Sequence, residues 1–432
     1  MAGSLNGVRQ RVDDSVRAQQ PLAEAVFDEL AAGTHDGVGI TRASYGEGEQ
    51  FAHALFARQA RALDLELATD PAGNTYLTLP GADRGAPPVI IGSHLDSVAQ
   101  GGNFDGAAGV VSGLTALVGL REAGVVPPQD LRVMGIRAEE SAWFGVSYIG
   151  SRSALGCLPA GALDNARRAD TGRSLREHMR ECGCAPEVIE SEAPYLPPAS
   201  LGAYLEVHIE QGPVLEEAGI PVGVVTGIRG NRRLPAARCI GEYSHCGGVP
   251  RSHRRDAVMA TTMLLAELDA IWRECEVDGR DFAFTVGKLF TDANWHAMTK
   301  IAGELSFSLD MRSLDPEFLA GMETRLAELA TRIGDERGVR FELGEFTRAA
   351  PGLLDAGIRA SLNDLVQRLQ IPSMAIASGA SHDAAAFADA GVPTAMIFIR
   401  NANGSHNPDE QMAIDDFMQA TRLLAAWLVR EA

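Results

Sequence analysis

The 432-residue sequence lacks several features that would place it in a specialised class of protein. Its six cysteines are scattered and include no Cys-x-x-Cys pair, which argues against a disulfide framework. No apolar run reaches the roughly 18 residues of a membrane-spanning helix, and the N-terminal MAGSLNGVRQRVDDS has no apolar signal segment. We therefore expect a cytoplasmic protein that does not enter the membrane.

Positive charge is also scarce, since 38 Lys and Arg face 57 Asp and Glu, and the formal net charge is -19. An acidic surface repels nucleic acid and anionic membrane, so neither is expected as a partner. Apolar residues make up 46% of the chain, enough to bury a sizeable core. The composition therefore predicts a soluble globular protein of two or three domains.

Four apolar segments predict strands, and residues able to bind a metal stand at the end of each. The segments span 87–93, 130–138, 202–212 and 392–399, and the polar residues are His94, Glu139, Glu140, His208 and His406. Helical patterns separate the strands, as in the segment 106–124, which Asp105 is placed to cap. The alternation predicts an α/β fold with a mainly parallel sheet, in which sites form at the carboxyl ends of the strands.

The middle of the chain follows another pattern. A strand (237–244), a helix (255–274), the strands DFAFTVGKLF and GELSFSLDMRS, a helix (316–336) and the strand VRFELGEFT give the order βαββαβ. That order is typical of the ferredoxin-like arrangement. We expect residues 1–227 and 346–432 to form a catalytic domain, and residues 228–345 to form an inserted lid and dimerisation domain.

Each polar candidate taken alone has an ordinary structural explanation. A His-x-Asp pair is usually a hydrogen-bonded loop, Glu139-Glu140 is usually a solvated strand end, and the polar face of YLEVHIE would ordinarily contact solvent. Their common placement favours a metal site instead. Imidazole and carboxylate ligands suit zinc, manganese, cobalt or nickel, and a carboxylate can bridge two ions; the candidate ligands are His94, Asp105, Glu140, His208 and His406.

Two further acids fit supporting roles at such a site. Asp96 follows His94 by two residues and is a candidate for orienting its ring. Glu139 is a candidate for accepting the proton of a metal-activated water molecule. These two adjacent carboxylates, Glu139 and Glu140, can take different roles only where the backbone is irregular.

The motifs resemble those of the hydantoinase/carbamoylase amidases, a branch of the M20 metallopeptidase clan. The matching stretches are GSHLDSVAQGGNFDGAAGV, AEESAWFGVSYIGSR, LEVHIEQGPVLE, HCGGVPRSHRRDA, SGASHDAAAFA and GSHNPDE, which lie in this order between residues 88 and 410. The resemblance implies two divalent ions that share Asp105. It implies His94 and His406 as the other ligands of one ion, and Glu140 and His208 as those of the second.

The resemblance also implies roles in catalysis and substrate binding. Glu139 falls on the family's general-base position, and Gln211 falls on a substrate contact. His245 falls on a lid-domain histidine that holds the substrate or its oxyanion, and Arg312 falls on an arginine that binds the substrate carboxylate. In ELSFSLDMR, Arg312 shares a strand face with Ser308 and Asp310, and a surface salt bridge is the alternative explanation for it.

The chain departs from the family pattern in two places. The family's Asn-x-x-Pro segment reads TKIA here, so Thr299 replaces the substrate-contacting Asn, and Asn294 lies five residues earlier. Both are candidate substrate contacts. Trp143 stands where the family commonly has arginine, and with Trp295 it indicates either a bulky or aromatic substrate or core packing.

The expected function is hydrolysis of a non-peptide C–N bond in a small carboxylate-bearing substrate by a homodimeric metal-dependent amidohydrolase. The alternatives within the clan are an N-acyl amino acid deacylase, a dipeptidase or an aryl-amine hydrolase. A non-catalytic metal-binding relative would have little need for acids at both 139 and 140, so the pair favours an enzyme.

Overall fold

The structure is a computed structural model that describes residues 2–191 and 194–429. It divides into two compact units. The larger unit comprises the chain up to Thr226 and from Leu353 onward, and the smaller unit is Gly227–Gly352. No helix among the described residues has both the length and the hydrophobicity to cross a membrane.

The helices are numbered in chain order. They are α1 (Ala2–Arg17), α2 (Gln20–Thr34), α3 (Glu47–Ala62), α4 (Ala107–Glu122), α5 (Ser141–Phe144), α6 (Ile149–Leu155), α7 (Ala162–Asn165), α8 (Leu175–Glu181), α9 (Pro186–Glu190), α10 (Val214–Ala218), α11 (Ala257–Val277), α12 (Pro316–Arg337), α13 (Ala356–Leu369), α14 (Asp383–Asp389) and α15 (Ile414–Leu428). Short 3-10 turns occur at Pro198–Ser200 and Arg251–His253.

The strands are numbered in the same way. They are β1 (Glu66–Thr69), β2 (Thr75–Leu79), β3 (Val89–His94), β4 (Leu131–Ile136), β5 (Ala203–Ile209), β6 (Val222–Ile228), β7 (Gly230–Ile240), β8 (Ser244–His245), β9 (Ala283–Thr285), β10 (Leu289–Thr291), β11 (Lys300–Ile301), β12 (Glu304–Ser313), β13 (Arg340–Glu342), β14 (Thr347–Ala349), β15 (Ser373–Ser378) and β16 (Thr394–Ile399).

The larger unit is built on a mixed sheet with the strand order β1-β2-β4-β3-β5-β16-β6-β15. The pairs β4–β3, β3–β5 and β5–β16 are parallel. The pairs β1–β2, β2–β4 and β16–β6 are antiparallel. The prediction of a mainly parallel sheet was therefore wrong outside its centre. For β1 and β2 the reason is the short turn that joins them, because parallel strands need a crossover of about a dozen residues or more.

The four strands traced in the sequence form the parallel centre, as β3, β4, β5 and β16. The predicted helix 106–124 is α4, and its residues from Ala107 to Leu120 are buried. It packs into the main hydrophobic core with the apolar face of β5, which carries Leu205, Val207 and Ile209. Because β3, β4, β5 and β16 run in one direction, their carboxyl ends meet at one edge of the sheet.

The smaller unit contains a sheet with the order β10-β12-β7-β13, in which β14 also pairs with β7 and β9 also pairs with β12. Each of two predicted strands is divided in two. The segment 281–290 contains β9 and part of β10, and VRFELGEFT contains β13 and part of β14, with Gly344 at φ +76° between them. The pairing of β14 with β7 extends this unit beyond residue 345, where the sequence analysis ended it.

Candidate metal centre

Two histidines meet at the ends of neighbouring strands. His94 is the last residue of β3, and His208 is the last but one of β5. Their Nε2 atoms lie 3.4 Å apart. The Nδ1 atom of His94 is 3.0 Å from the carbonyl oxygen of Asp96, and that of His208 is 2.9 Å from the carbonyl oxygen of Ile209. In its neutral form, an imidazole that donates through Nδ1 has its lone pair on Nε2, so in that form both rings direct a lone pair toward one point.

Asp105 lies against both histidines and a third. Its Oδ1 is 3.2 Å from Nε2 of His208 and 3.7 Å from Nε2 of His94, and its Oδ2 is 3.2 Å from Nε2 of His406. The carboxylate is 3% exposed. The expected capping of α4 by Asp105 was wrong, because Gly106 is the N-cap residue and makes no side-chain cap. The Asp105 side chain points to the imidazoles instead.

Gly106 explains why the loop before α4 is rich in glycine. Its φ is +66°, and a Cβ atom there would lie 2.5 Å from the ring of His94. A side chain at this position would be strained and would also displace the imidazole. The glycine therefore lets the loop that carries Asp105 lie directly against the ligand that ends β3.

Glu140 and His406 form a second group with Asp105. Glu140 Oε1 is 3.3 Å from His406 Nε2 and makes no hydrogen bond within the described residues. Two sets of potential ligands thus share one carboxylate: His94, Asp105 and His208, and Asp105, Glu140 and His406. The division differs from the one implied by the family resemblance, which put His406 with His94. The adjacency of β3 and β5 in the sheet puts His208 there instead.

The backbone is irregular where Glu139 and Glu140 diverge. β4 ends at Ile136, and Ala138 has a φ of +51°, which is rare for a residue with a side chain. The turn is held by Asp96, whose Oδ1 accepts the N–H of Glu139 (3.0 Å) and whose Oδ2 accepts the N–H of Glu140 (3.1 Å). Asp96 thus supports both acids, and its Oδ1 is also 3.4 Å from Nδ1 of His94.

The electrostatics of the group favour a cation. Burial opposes ionisation of Asp105, yet hydrogen bonds from His208 and His406 hold its pKa well below the usual value. The carboxylates of Asp105 and Glu140, which lie 3.2 and 3.3 Å from its Nε2 atom, raise the pKa of His406 to about 10. Burial raises the pKa of Glu139 well above its usual value, although His94 opposes this. These shifts show that positive charge is favoured around the carboxylates, and a divalent ion supplies positive charge.

The residues present therefore fit a pair of divalent ions. All the donor atoms are imidazole nitrogen or carboxylate oxygen, the set preferred by borderline metals such as zinc and manganese. Among the described residues, one buried oxygen of Glu140 has no hydrogen-bond partner, and the Nε2 atoms of His94 and His208 lie 3.4 Å apart. The polar face of β5, which would ordinarily contact solvent, is buried, with Glu206 at 0% and His208 at 1% exposure.

Gln211 lies beside the shared carboxylate. Its Nε2 is 3.2 Å from Oδ1 and 3.1 Å from Oδ2 of Asp105, and its Oε1 is buried without a hydrogen-bond partner among the described residues. The residue has a φ of +64°. The family resemblance implied that Gln211 contacts the substrate, and in the structure its amide contacts Asp105, a candidate metal ligand.

The remaining candidates belong to the smaller unit. His245 Nδ1 accepts the N–H groups of Gly247 (3.1 Å) and Gly248 (3.0 Å), so its ring proton is on Nε2. Arg312 binds Asp310 through Nε and Nη2, at 3.2 and 2.9 Å, and the two share the polar face of β12 as predicted. Asn294 and Thr299 are exposed.

Sequence reasoning did not identify several residues around the centre. His382 forms a third cluster with Glu206 and His208. Glu410 and Ser405 contact Asp105, and Arg42 is fully buried behind it. Glu410 and His382 lie inside the motifs GSHNPDE and SGASHDAAAFA, so those motifs were the available signal. No sequence signal indicated Arg42, because no local pattern distinguishes a buried arginine from an exposed one.

Comparison with known proteins identifies the family to which this chain belongs. A model of the peptidase family M20/M25/M40 matches residues 90–430. The chain therefore belongs to that family, and within it to the hydantoinase/carbamoylase amidases. It is a metal-dependent hydrolase of carbon–nitrogen bonds other than peptide bonds.

Individual relatives are similar over nearly the whole chain. An N-carbamoyl-L-amino acid amidohydrolase of Geobacillus stearothermophilus is 35% identical over 88% of this chain and 90% of its own. The allantoate amidohydrolase of Escherichia coli K12 is 31% identical over 91% and 93%. The crystal structure of a hydantoinase/carbamoylase family amidase from Burkholderia ambifaria has a TM-score of 0.84 and 30% identity, covering 95% of this chain and 96% of that one.

Proposed function

We propose that the protein hydrolyses a carbamoyl, ureido or related amide bond of a small carboxylate-bearing substrate with two divalent ions. The observation that carries the proposal is the position of Asp105, whose carboxylate is shared by two sets of ligands. One ion would be held by His94, Asp105 and His208, and the other by Asp105, Glu140 and His406. The N-carbamoyl-amino-acid and allantoate relatives support this substrate class.

Glu139 is proposed as the general base. When bound, the ions lower the pKa of a water molecule and polarise the substrate carbonyl. Glu139 accepts the proton of the attacking water and delivers it to the nitrogen of the bond that breaks. Burial raises the pKa of its carboxyl group, which makes the carboxylate a stronger base for the proton of water. Asp96 fixes the two main-chain N–H groups that orient Glu139 and Glu140.

The substrate is proposed to be held by the polar groups that the family resemblance implies. Arg312 is proposed to bind the substrate carboxylate, because its planar guanidinium can bind a carboxylate through two hydrogen bonds, as it binds Asp310 in the structure. The Nε2–H group of His245 donates to the oxygen that becomes negative as water attacks, since its Nδ1 is already occupied by Gly247 and Gly248. Gln211, Asn294 and Thr299 are proposed as further contacts.

The two units are proposed to act as a catalytic domain and a lid. The strand order β13-β7-β12-β10, with α11 and α12 as the connecting helices, supports a ferredoxin-like lid. The same unit is proposed to form a homodimer. In support, β10 lies at an edge of the sheet and exposes Leu289 (53%) and Phe290 (57%). An exposed apolar edge strand is a common site of association.

The metals are proposed to be zinc, manganese, cobalt or nickel, and the compartment is proposed to be the cytoplasm. The proposal is tested by loading the purified protein with each metal in turn. The substrates are matched carbamoyl, ureido, acyl, dipeptide and aryl-amine compounds, each with a free carboxylate, and release of ammonia or amine is measured. The expected result is turnover of a carbamoyl or ureido compound; turnover of the acyl or dipeptide compounds alone would contradict the proposal.

A further inference from the structure

We propose that Glu410 is a positioning residue that keeps the hydroxyl proton of Ser405 away from Asp105, so that both oxygens of the shared carboxylate remain available to metal. The inference rests on the proposed two-ion function. Ser405 Oγ is 2.5 Å from Oε2 of Glu410 and 3.0 Å from Oδ2 of Asp105. One hydroxyl therefore lies between two carboxylates.

Glu410 is held in a fixed orientation by the backbone before α4. It is 6% exposed, and its Oε1 accepts the N–H groups of Phe104 (2.9 Å) and Asp105 (3.2 Å). Gly102 makes room for it, because a Cβ atom there would lie 2.2 Å from the Glu410 carboxyl carbon. With Oε1 occupied by two donors, Oε2 faces Ser405.

The main chain of Asp105 is held from the other side by Arg42. This arginine is 0% exposed, and its Nη2 is 3.3 Å from the carbonyl oxygen of Asp105. Its Nε donates to the carbonyl oxygen of Leu95, next to His94, at 2.8 Å. The backbone of Asp105 is thus fixed by two buried charged groups, Arg42 and Glu410. What remains variable is which donors occupy its carboxylate oxygens.

Nε2 of Gln211 already lies 3.1 Å from Oδ2 of Asp105, so the hydroxyl of Ser405 decides whether a second donor takes this oxygen. A serine hydroxyl carries one proton and donates it to one acceptor at a time. If that proton pointed to Asp105, it would occupy a lone pair on Oδ2, the oxygen that faces His406 at 3.2 Å. The shorter distance to Glu410 directs the proton there, and the lone pair on Asp105 stays free for the ion shared with Glu140 and His406.

Glu410→Gln tests this with little change of shape. The glutamine oxygen must face the N–H groups of Phe104 and Asp105, because its amide N–H groups would clash with them. Its Nε2 then donates to Ser405 Oγ, and the hydroxyl proton turns to Asp105. Changes to groups that support ligands commonly weaken metal binding by about 10–100-fold, and we expect this for one of two ions. Equilibrium dialysis with zinc or manganese alone measures it.

Ser405→Ala separates this role from a general effect on folding. Without the hydroxyl there is no proton to misdirect, so Ser405→Ala alone should bind both ions nearly as wild type does. In the double variant, Ser405→Ala should restore most of the affinity that Glu410→Gln loses. The double-mutant cycle therefore gives a coupling that a merely structural role would not produce.

Asp130→Asn is the matched control. Asp130 is 2% exposed and accepts the N–H of Gly81 at 3.1 Å, just before the amino end of β4, away from the ligands. It should leave the binding isotherm unchanged. Wild-type affinity in Glu410→Gln, or a loss that Ser405→Ala does not restore, would overturn the role of Glu410. If the wild-type chain binds only one ion, the two-ion function is contradicted. The affinity of Glu410→Gln for that ion, compared with wild type, would still decide the role of Glu410.

Discussion

The Nε2 atoms of His94 and His208 lie 3.4 Å apart, while the Nδ1 atom of each ring lies within hydrogen-bond distance of a main-chain carbonyl oxygen. In their neutral forms, two imidazoles held in this way direct lone pairs at each other, which is favourable when a proton or a metal ion lies between them. With the carboxylate of Asp105 they form a candidate ligand set.

Removal of His208 should lower the number of bound metal ions. His208→Ala takes one imidazole from the set that contains His94 and Asp105, and we expect elemental analysis of the reconstituted protein to fall from about two ions per chain toward one. His178→Ala is the control, because His178 is also buried (5% exposed) but bonds to Thr171. An unchanged metal content in His208→Ala would refute the ligand assignment.

Glu139→Gln should keep the fold and the metal but lose most turnover. An amide cannot accept a proton from water, and loss of a general base commonly costs about 10²–10⁴-fold in rate. The measurement is kcat alongside metal content, with Glu140→Gln as the comparison that should lose metal. Near-normal turnover in Glu139→Gln with both ions bound would show that another group is the base.

Asp96→Asn should destabilise the turn that carries Glu139 and Glu140. Both oxygens of Asp96 accept a main-chain N–H, so an amide nitrogen would face a donor. A buried group left unsatisfied costs about 1–3 kcal/mol, which thermal unfolding measures, and we also expect kcat/KM to fall.

Asp70→Asn is the control for that variant. Asp70 is 5% exposed and accepts the main-chain N–H groups of Ala72 and Asn74, at 2.9 and 3.0 Å. It should lower the unfolding temperature similarly while kcat/KM is retained. If both variants lose stability and activity in equal measure, Asp96 has no special role at the centre.

Arg312→Lys should weaken recognition of the substrate carboxylate. Charge-assisted hydrogen bonds are worth roughly 1.5–3 kcal/mol, so we expect kcat/KM to fall about 10-fold or more, with metal content unchanged. An analogue with a neutral amide in place of the carboxylate should be insensitive to the change. The readout is kcat/KM for both compounds.

Arg233→Lys is the matched control, because Arg233 Nε also binds Asp310, at 2.9 Å. If Arg312 serves only as a salt-bridge partner of Asp310, the two variants should behave alike. Equal damage toward the carboxylate substrate and its amide analogue would lead to the same conclusion, and the substrate would then need no carboxylate.

The proposed homodimer is tested on the full chain by sedimentation. We expect a dimer at micromolar concentration, and Phe290→Glu should weaken it, because a charge at an apolar edge strand opposes pairing. Val126→Glu is the control, since Val126 is 67% exposed and lies in the larger unit. A wild-type monomer at micromolar concentration would contradict the proposal.

The sequence by itself determined the four central strands and α4, because apolar runs and helical periodicity report local burial. It also predicted one set of candidate metal ligands, because these residues stand at or near strand ends that a parallel sheet brings to one edge. They are His94, Asp105, Glu140, His208 and His406. The sequence did not predict the antiparallel flanks of the sheet, because the short strands β1 and β2 were not among the four strands recognised. Nor did it predict that the segment 281–290 is divided between β9 and β10, because the place where a strand breaks depends on the strands with which it pairs.

Tertiary structure alone decided how the candidate ligands are grouped and what supports them. His208 lies beside His94 because β5 is next to β3, and no local sequence pattern specifies the order of strands. Glu139 and Glu140 diverge because Ala138 adopts a positive φ and Asp96, more than forty residues earlier in the chain, accepts both N–H groups. Arg42 and Glu410 reach Asp105 from 63 and 305 residues away. Hydrogen bonds between residues so far apart in the chain form only in the tertiary structure. The sequence therefore identified the types of candidate ligand, and the fold determined their geometry.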